Sequence, residues 1–354
     1  MSKKPRLGFI GVGMMGQIAH LANYARLRDA NECEIIGITD LKPLLARAVA
    51  EKYNIPRIYA DATELLRDPA IDAVVCIQQW PNNYGLVKQI LQAKKSVITE
   101  KPMVGRLDEA QELAALAHDN GVLYAVGFMK RYDTGVEMAK QLFKGVQYSG
   151  ELGDLVAVEA LCDGGDWIQN AGSSIAVDDP TPLPPLQPTY PDSCTTPAQR
   201  AAYGYLVNIF AHNINLCHHF LEAEMSVYAA QFRGSRGMQA LLRSGNVLVT
   251  VHGTTSASHE WREYTTFTFE RGQLVVKTPV PLNRQQSATV YLTRPAERGF
   301  VTNEYHAPVD WAFFREAQGF IDALAGKAPL RAAVETCLWD VRVMERIIDV
   351  AEVI

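Results

Sequence analysis

Along residues 6 to about 146, short β-branched runs alternate with longer stretches in which apolar residues return at helical spacing. The candidate strands are Leu7–Ile10, Glu34–Ile38, Ala73–Ile77, Ser96–Thr99 and Leu123–Val126. Between them, Gln17–Arg28, Pro43–Lys52, Ala62–Arg67, Tyr84–Ala93 and Leu107–Asn120 read as helices. In the last of these, Leu107, Ala110, Leu113 and Leu116 share one face, and Gly121 follows where a left-handed terminal residue is wanted. Strand and helix alternating in this way predict a parallel sheet covered by helices, a doubly wound α/β domain.

Beyond about residue 150 strand signals dominate: Leu155–Leu161, Met225–Phe232, Val247–Val251, Tyr264–Phe269, Leu274–Lys277 and Thr289–Leu292. The Arg271-Gly272 turn before Leu274 suggests an antiparallel hairpin, so the second domain reads as α+β. One helix, Tyr205–Leu221, interrupts the strands, and Trp311–Leu324 and Ala332–Val350 are periodic helices that close the chain. From Asp163 to Tyr203 seven prolines exclude a regular helix or central strand and predict a long loop, of the kind that serves as a lid, a binding loop or an intersubunit arm. The expected boundaries are 1–128 for the first domain and 129–354 for the second, with the loop at about 163–203 and the closing helices free to pack back on the first domain.

A chain of 354 residues exceeds what one hydrophobic core supports, which agrees with two domains. The net charge of −5 gives no electrostatic reason to expect nucleic acid or anionic lipid, and points to a small-molecule partner. Neither a secretory segment nor an uninterrupted apolar run long enough to span a membrane is visible, and the expected location is cytoplasmic. Six scattered cysteines without paired spacing read as buried thiols rather than a zinc site or a disulfide framework. His218 and His219 have no carboxylate or cysteine at ligand spacing, so no metal is expected.

The first strand runs into Gly11-Val12-Gly13-Met14-Met15-Gly16, and a helix follows. The motif is specific only in this context: strand before, helix after, and an acidic residue closing the next strand. Gly11 permits the tight turn, Gly13 lets backbone N–H groups approach a pyrophosphate, and Gly16 allows close packing of helix on strand. Asp40 ends the second strand, where a carboxylate accepts from the adenosine ribose hydroxyls and repels a 2′-phosphate, favouring NAD over NADP. Lys42 and Arg47 lie close by and soften that preference; Asp40 also fits a simple turn-initiating role. Lys101, in Thr99-Glu100-Lys101-Pro102, stands at the carboxyl end of a strand, where open α/β sheets bind ligands. Near an oxidised, positively charged cofactor a lysine has a lowered pKa and donates to a substrate oxygen. On spacing alone, a lysine that merely caps a strand fits equally.

Together, Gly11–Gly16, Glu100-Lys101-Pro102, Gly127-Phe128-Met129-Lys130-Arg131-Tyr132-Asp133 and a later helical histidine resemble the Gfo/Idh/MocA oxidoreductase family over nearly the whole chain. The resemblance implies a Rossmann domain followed by an α+β domain with a large, open, mostly antiparallel sheet, and an active site between them. It also implies NAD(P)-linked oxidation or reduction at a hydroxyl-bearing carbon of a sugar, sugar derivative or inositol, with Lys101 catalytic. Glu100 and the stretch Gln78-Gln79-Trp80-Pro81-Asn82 match positions that in the family border the nicotinamide and its ribose. A homodimer or homotetramer, formed through the open sheet face, is implied as well.

The family's Asp-x-x-x-His-x-x-Asp motif is similar to Asn208-Ile209-Phe210-Ala211-His212-Asn213-Ile214-Asn215 here, with both acids replaced by amides. Helical spacing places Asn208, His212 and Asn215 on one side. His212 remains able to take a hydroxyl proton, with a core histidine as the bland alternative, whereas Asn208 only positions substrate. Lys130, Arg131 and Tyr132 are candidates for substrate oxygens or an anionic group, with salt-bridge roles as the alternative. Trp167, flanked by Asp163 and Asp166, suits the CH face of a sugar ring. Two other readings remain at this stage. An NAD-dependent glycoside hydrolase or lyase would oxidise a ring hydroxyl transiently and eliminate the aglycone; a non-enzymatic sensor would use the fold only to bind.

Overall fold

The computed structural model describes residues 4–256 and 260–354, which fall into two compact units. Unit 1 holds the chain up to Gly127 together with Gly172–Thr189 and Phe313–Leu338; unit 2 holds Phe128–Ala171, Tyr190–Ala312 and Trp339–Ile354.

Unit 1 is built on six parallel strands, β1 (Arg6–Ile10), β2 (Glu34–Thr39), β3 (Arg57–Ile58), β4 (Ala73–Cys76), β5 (Ser96–Glu100) and β6 (Tyr124–Gly127), in the order β3-β2-β1-β4-β5-β6. The crossover helices are α1 (Ala22–Asp29), α2 (Pro43–Tyr53), α3 (Ala62–Arg67), α4 (Asn83–Gln92) and α5 (Leu107–Asn120). This is the doubly wound sheet that the alternating pattern predicts. Its central strands are apolar on both faces because helices cover both. The strand order reverses at β1 and β4, so their carboxyl ends, Gly11 and Ile77, flank the crevice where such folds take ligands. The two-residue β3 escapes sequence reading because both of its side chains are exposed.

Unit 2 begins with α6 (Thr134–Ser149) and carries a nine-stranded sheet: β7 (Leu155–Gly164), β8 (Ser226–Phe232), β9 (Gly237–Ser244), β10 (Val247–Thr255), β11 (Arg262–Phe269), β12 (Gly272–Lys277), β13 (Thr289–Pro295), β14 (Phe300–His306) and β15 (Ala351–Val353). Every pairing is antiparallel except β7 with β10 and β8 with β15. The strands alternate buried and open positions, and the buried set meets α6 and α8 (Ala211–Leu221). At the centre Phe267 lies 4.8 Å from Phe143 of α6 and 4.6 Å from Phe220 of α8 between ring centroids. Helices α7 (Pro197–Tyr205), α9 (Ala312–Leu324) and α10 (Val334–Asp349) complete the chain. Phe320 and Ile321 of α9 join the apolar core of unit 1.

Helix α6 and strands β9, β14 and β15 of unit 2 are absent from the sequence reading. Helix α6 is hidden in the pattern by a buried Lys140, whose ammonium reaches the carbonyls of His219 and Phe220 at the end of α8. Strand β9 carries two adjacent leucines, one facing in and one out, so the alternation is blurred. Strand β14 is exposed along nearly its whole length and carries no hydrophobic signal. The proline-rich connection is also shorter than expected. Asp163 belongs to β7, and Pro197 opens α7 behind a Thr196/Gln199 capping box, at the helical position where proline costs no hydrogen bond.

Candidate cofactor and chemistry sites

In unit 1 the three motif glycines differ in what surrounds them. Gly11 has φ +87°, and a Cβ there would lie 1.9 Å from the Ile77 carbonyl oxygen. A Cβ on Gly16 would lie 2.6 Å from the Gly11 carbonyl oxygen, so these two glycines close the turn and seat the helix. A Cβ on Gly13 would meet nothing within 4 Å. Its backbone faces open space at a helix start, the cradle that a pyrophosphate requires. Met14 is exposed, while Met15 packs on the core.

The helix after the motif opens with a π-helical turn, Gly16–Leu21, a distortion frequent at functional sites. It turns two polar side chains inward. Gln17 donates to the Val12 carbonyl at 2.9 Å and bonds both backbone groups of Ile175. His20, 1% exposed, places Nε2 2.9 Å from Oε1 of Glu100. Asp40 accepts from the Val12 N–H at 2.7 Å and the Lys42 N–H at 2.9 Å, tying the end of β2 to the glycine turn.

Lys101 is half-buried at the carboxyl end of β5, and its N–H donates to Glu100 at 3.2 Å. Beside it, the segment after the neighbouring strand β4 forms a single 3₁₀ turn, Trp80–Asn82, with the Gln78 amide bonded to the Asn82 carbonyl at 3.0 Å. The fully buried Asn83 donates to the carbonyls of Pro102 and Met103 and so fixes this turn against the Glu-Lys-Pro segment. Sequence reading missed His20, Asn83 and Glu316. His20 and Asn83 follow directly on motifs, but only the fold shows them turning inward. Glu316, in α9, is 1% exposed, and burial together with the Glu100 charge raises its carboxyl well above the usual range.

Unit 2 gathers a different set. A second π-helical turn, Leu206–Phe210, precedes α8; Asn208 within it is exposed, His212 is half-buried edge-on to Phe128, and Asn215 is buried. The three motif positions therefore run from exposed to buried. Asn215 accepts from Arg131 Nε at 2.7 Å and donates to Asp340 of α10 at 2.6 Å. The Asp340 carboxylate also lies 3.4 Å from His218, whose ring stacks on Trp339. Lys130 pairs with buried Glu263, which also accepts from Asn213 and Trp261. Lys130, Arg131 and Tyr132 are all at most 5% exposed, so the polar network holds the first two as interior groups. Trp167 is 40% exposed, while its expected flanking carboxylates are engaged: Asp163 by Thr254 and Asp166 by the Ile168 N–H. Burial pushes His219 down to about 3, with Arg131 and Lys140 adding to the effect. Among the described residues no cluster of three His, Cys, Asp or Glu is placed to hold a metal, and no helix is long and apolar enough to cross a membrane.

Residues 5–128 match the family model of GFO_IDH_MocA, described as "Oxidoreductase family, NAD-binding Rossmann fold". Over that region the chain is similar to the NAD-binding Rossmann fold of the Gfo/Idh/MocA oxidoreductases. An oxidoreductase of Bacillus subtilis is 31% identical over 153 residues, 43% of this chain and 42% of that protein. An inositol 2-dehydrogenase/D-chiro-inositol 3-dehydrogenase of Lacticaseibacillus casei is 29% identical over 177 residues, 49% of each chain. The match therefore spans half or less of those relatives' length. A 3-ketoreductase from Actinomadura kijaniata, solved with NADP and TDP-benzene, superposes over 99% of both chains with a TM-score of 0.76 at 18% identity, a likeness of fold along the whole chain.

Proposed function

We propose that the protein is an NAD-dependent oxidoreductase that moves a hydride between nicotinamide and a hydroxyl-bearing carbon of a sugar, sugar derivative or inositol. The observation that carries this reading is the pairing, in one sheet, of an open Gly13 cradle with Lys101 at the carboxyl edge. Gly11, Gly13 and Gly16 with Met14 and Met15 form the phosphate turn. Asp40 takes the ribose, which supports NAD over NADP, and Gln78, Trp80, Pro81, Asn82 and Glu100 border the nicotinamide end. The cofactor, when bound, supplies a ring carbon that accepts or returns a hydride.

Lys101 donates to the substrate oxygen, and His212 handles the hydroxyl proton as an acid/base group. Asn208, exposed on its π turn, and Trp167 join His212 as candidate substrate-binding side chains of unit 2. Lys130, Arg131 and Tyr132 are buried, and Arg131 supports α8 through Asn215. An inositol substrate is supported by the Lacticaseibacillus casei relative, an inositol dehydrogenase. A panel of sugars, inositols, sugar acids and aryl glycosides with substoichiometric NAD tests the reading. NADH that rises in step with added NAD is expected; aglycone release without lasting NADH would overturn it.

A homo-oligomer is part of the proposal. The outer face of the unit 2 sheet exposes Tyr228, Leu241 and Leu248 beside a recess of about 800 Å³ lined by Glu159, Asp163, Arg233, Arg236 and His252. Apolar surface next to both signs of charge suits a self-complementary two-fold contact. Light scattering that finds only monomer at working concentration would remove this part. A cytoplasmic location is supported by six buried cysteines, none of them in a disulfide.

A further inference from the structure

The connection between β7 and α7 leaves one stretch, Gly172–Thr189, folded with unit 1. It is tied down along its length. Ile175 exchanges two hydrogen bonds with the Gln17 side chain, and Ile175 and Val177 lie against the apolar core. At the far end Thr189 donates to Glu109 at 2.8 Å, and its carbonyl oxygen would stand 2.2 Å from a Cβ on Gly105.

The middle tie is chemically specific. Asp179, only 7% exposed, accepts the Leu44 N–H at 2.8 Å and the Thr181 N–H at 3.0 Å. Leu44 is the second residue of α2, and Pro43 before it has no N–H, so Leu44 offers the first donor of that helix. The Thr181 and Leu44 hydrogen bonds and the nearby Lys42 ammonium hold the Asp179 carboxyl below its ordinary range. Asp40 closes β2 two residues before Lys42. In a Rossmann unit an acid at this strand end engages the ribose 2′-hydroxyl, and a cation just beyond it accommodates a 2′-phosphate. Here the first helical donor is taken by a carboxylate that belongs to the chain itself, with the Lys42 charge close enough to act on it.

We propose that Asp179 is a second cofactor-specificity residue, delivered by the 172–189 segment to the start of α2, where it takes the donor that a 2′-phosphate would need, adds negative charge there and so selects NAD. The inference rests on unit 1 being a dinucleotide-binding unit and deepens that reading. Asp40 alone would leave Lys42 able to recruit a phosphate; with Asp179 in place the same spot carries net negative charge and repels one.

The test is a fluorescence titration of NADH and NADPH, at low and high salt, with the wild-type chain, Asp179→Asn, Lys42→Ala and the double variant. The wild type binds NADH more tightly than NADPH. Asp179→Asn keeps an oxygen for Leu44 and is expected to tighten NADPH by about tenfold, the scale of one removed like-charge contact, with NADH unchanged within about twofold. That gain shrinks at high salt and disappears in the double variant. Lys42→Ala alone lowers the NADPH/NADH affinity ratio, because it removes the one cation beside the Asp40 and Asp179 carboxylates. A ratio unmoved by Asp179→Asn, equal losses for both cofactors in that variant, or a Lys42→Ala chain that favours NADPH would each overturn the assignment. Each of these leaves the dinucleotide reading standing. A wild-type chain that binds neither cofactor would sink both.

Discussion

The two helices that carry the candidate chemistry start alike and are completed differently. Each opens with a π-helical turn, Gly16–Leu21 in unit 1 and Leu206–Phe210 in unit 2. Around the first, the groups that define the cradle come mostly from residues 11–40, and the motif glycines, the backbone of Val12 and the Asp40 carboxylate close on one another. Around the second, the partners are remote. Asn215 is held by Arg131, 84 residues earlier, and by Asp340, 125 residues later. An amide in a motif position that the family fills with an acid reads as lost charge. The fold puts a carboxylate directly behind that amide. A contiguous motif therefore spells its own site, while a motif on a lone helix states only which side chains its neighbours must complete.

That contrast can be broken in several ways. The largest effect is expected at Lys101: Lys101→Ala should lower turnover about a thousandfold, within the range of a lost acid/base group, with NAD affinity held within about twofold. Full turnover in that variant would remove the lysine from the chemistry. Next come the glycines, which separate cradle from scaffold. Gly13→Val should weaken NADH binding by about two decades with little change in melting temperature, because its side chain enters open space. Gly11→Ala should instead destabilise the fold by about 2 kcal/mol, from positive φ and a clash with backbone. Similar melting curves for the two variants would erase the distinction.

For unit 2 the sharper test moves the carboxylate. Asp340→Asn should cost about 2 kcal/mol by denaturant unfolding, the worth of a buried hydrogen bond to a charged group. Adding Asn215→Asp, which returns the acid to the motif position beside Arg131, should recover most of that loss. No recovery would mean that Asp340 serves His218 and α10 rather than the motif.

Smaller effects follow from two buried titratable groups. Glu316 has a raised folded carboxyl pKa, so the folded state holds a proton that the unfolded chain releases above about 4.3. Its stabilising effect is complete below that pH and is lost as pH rises toward the folded value. Glu316→Gln should therefore melt a few degrees above wild type at pH 8 and level with it at pH 4. His219 runs the opposite way: with its folded value near 3, stability is present above about 6.5 and falls as pH drops from there toward 3. His219→Gln should flatten that acid limb, and an unchanged limb would place the sensitivity elsewhere.

The alternation of strands and helices through residue 127, the glycine turn and the placement of Lys101 at a strand end were all legible in the chain. They depend on local periodicity and on the chain direction in parallel β-α crossovers, which short-range sequence encodes. Less was legible in unit 2. Strand β14, with no buried face, and helix α6, with a buried lysine in its apolar stripe, carry signals that only their neighbours explain. The inward turn of His20, the withdrawal of Lys130 and Arg131 into buried networks, the Asp340 carboxylate behind Asn215, and the seat of Asp179 on α2 were decided by tertiary structure alone. Each is a polar group whose partner lies tens of residues or more away in sequence. A side chain's period states which face it shares, but the partner that must satisfy it once buried is chosen only when distant segments come together.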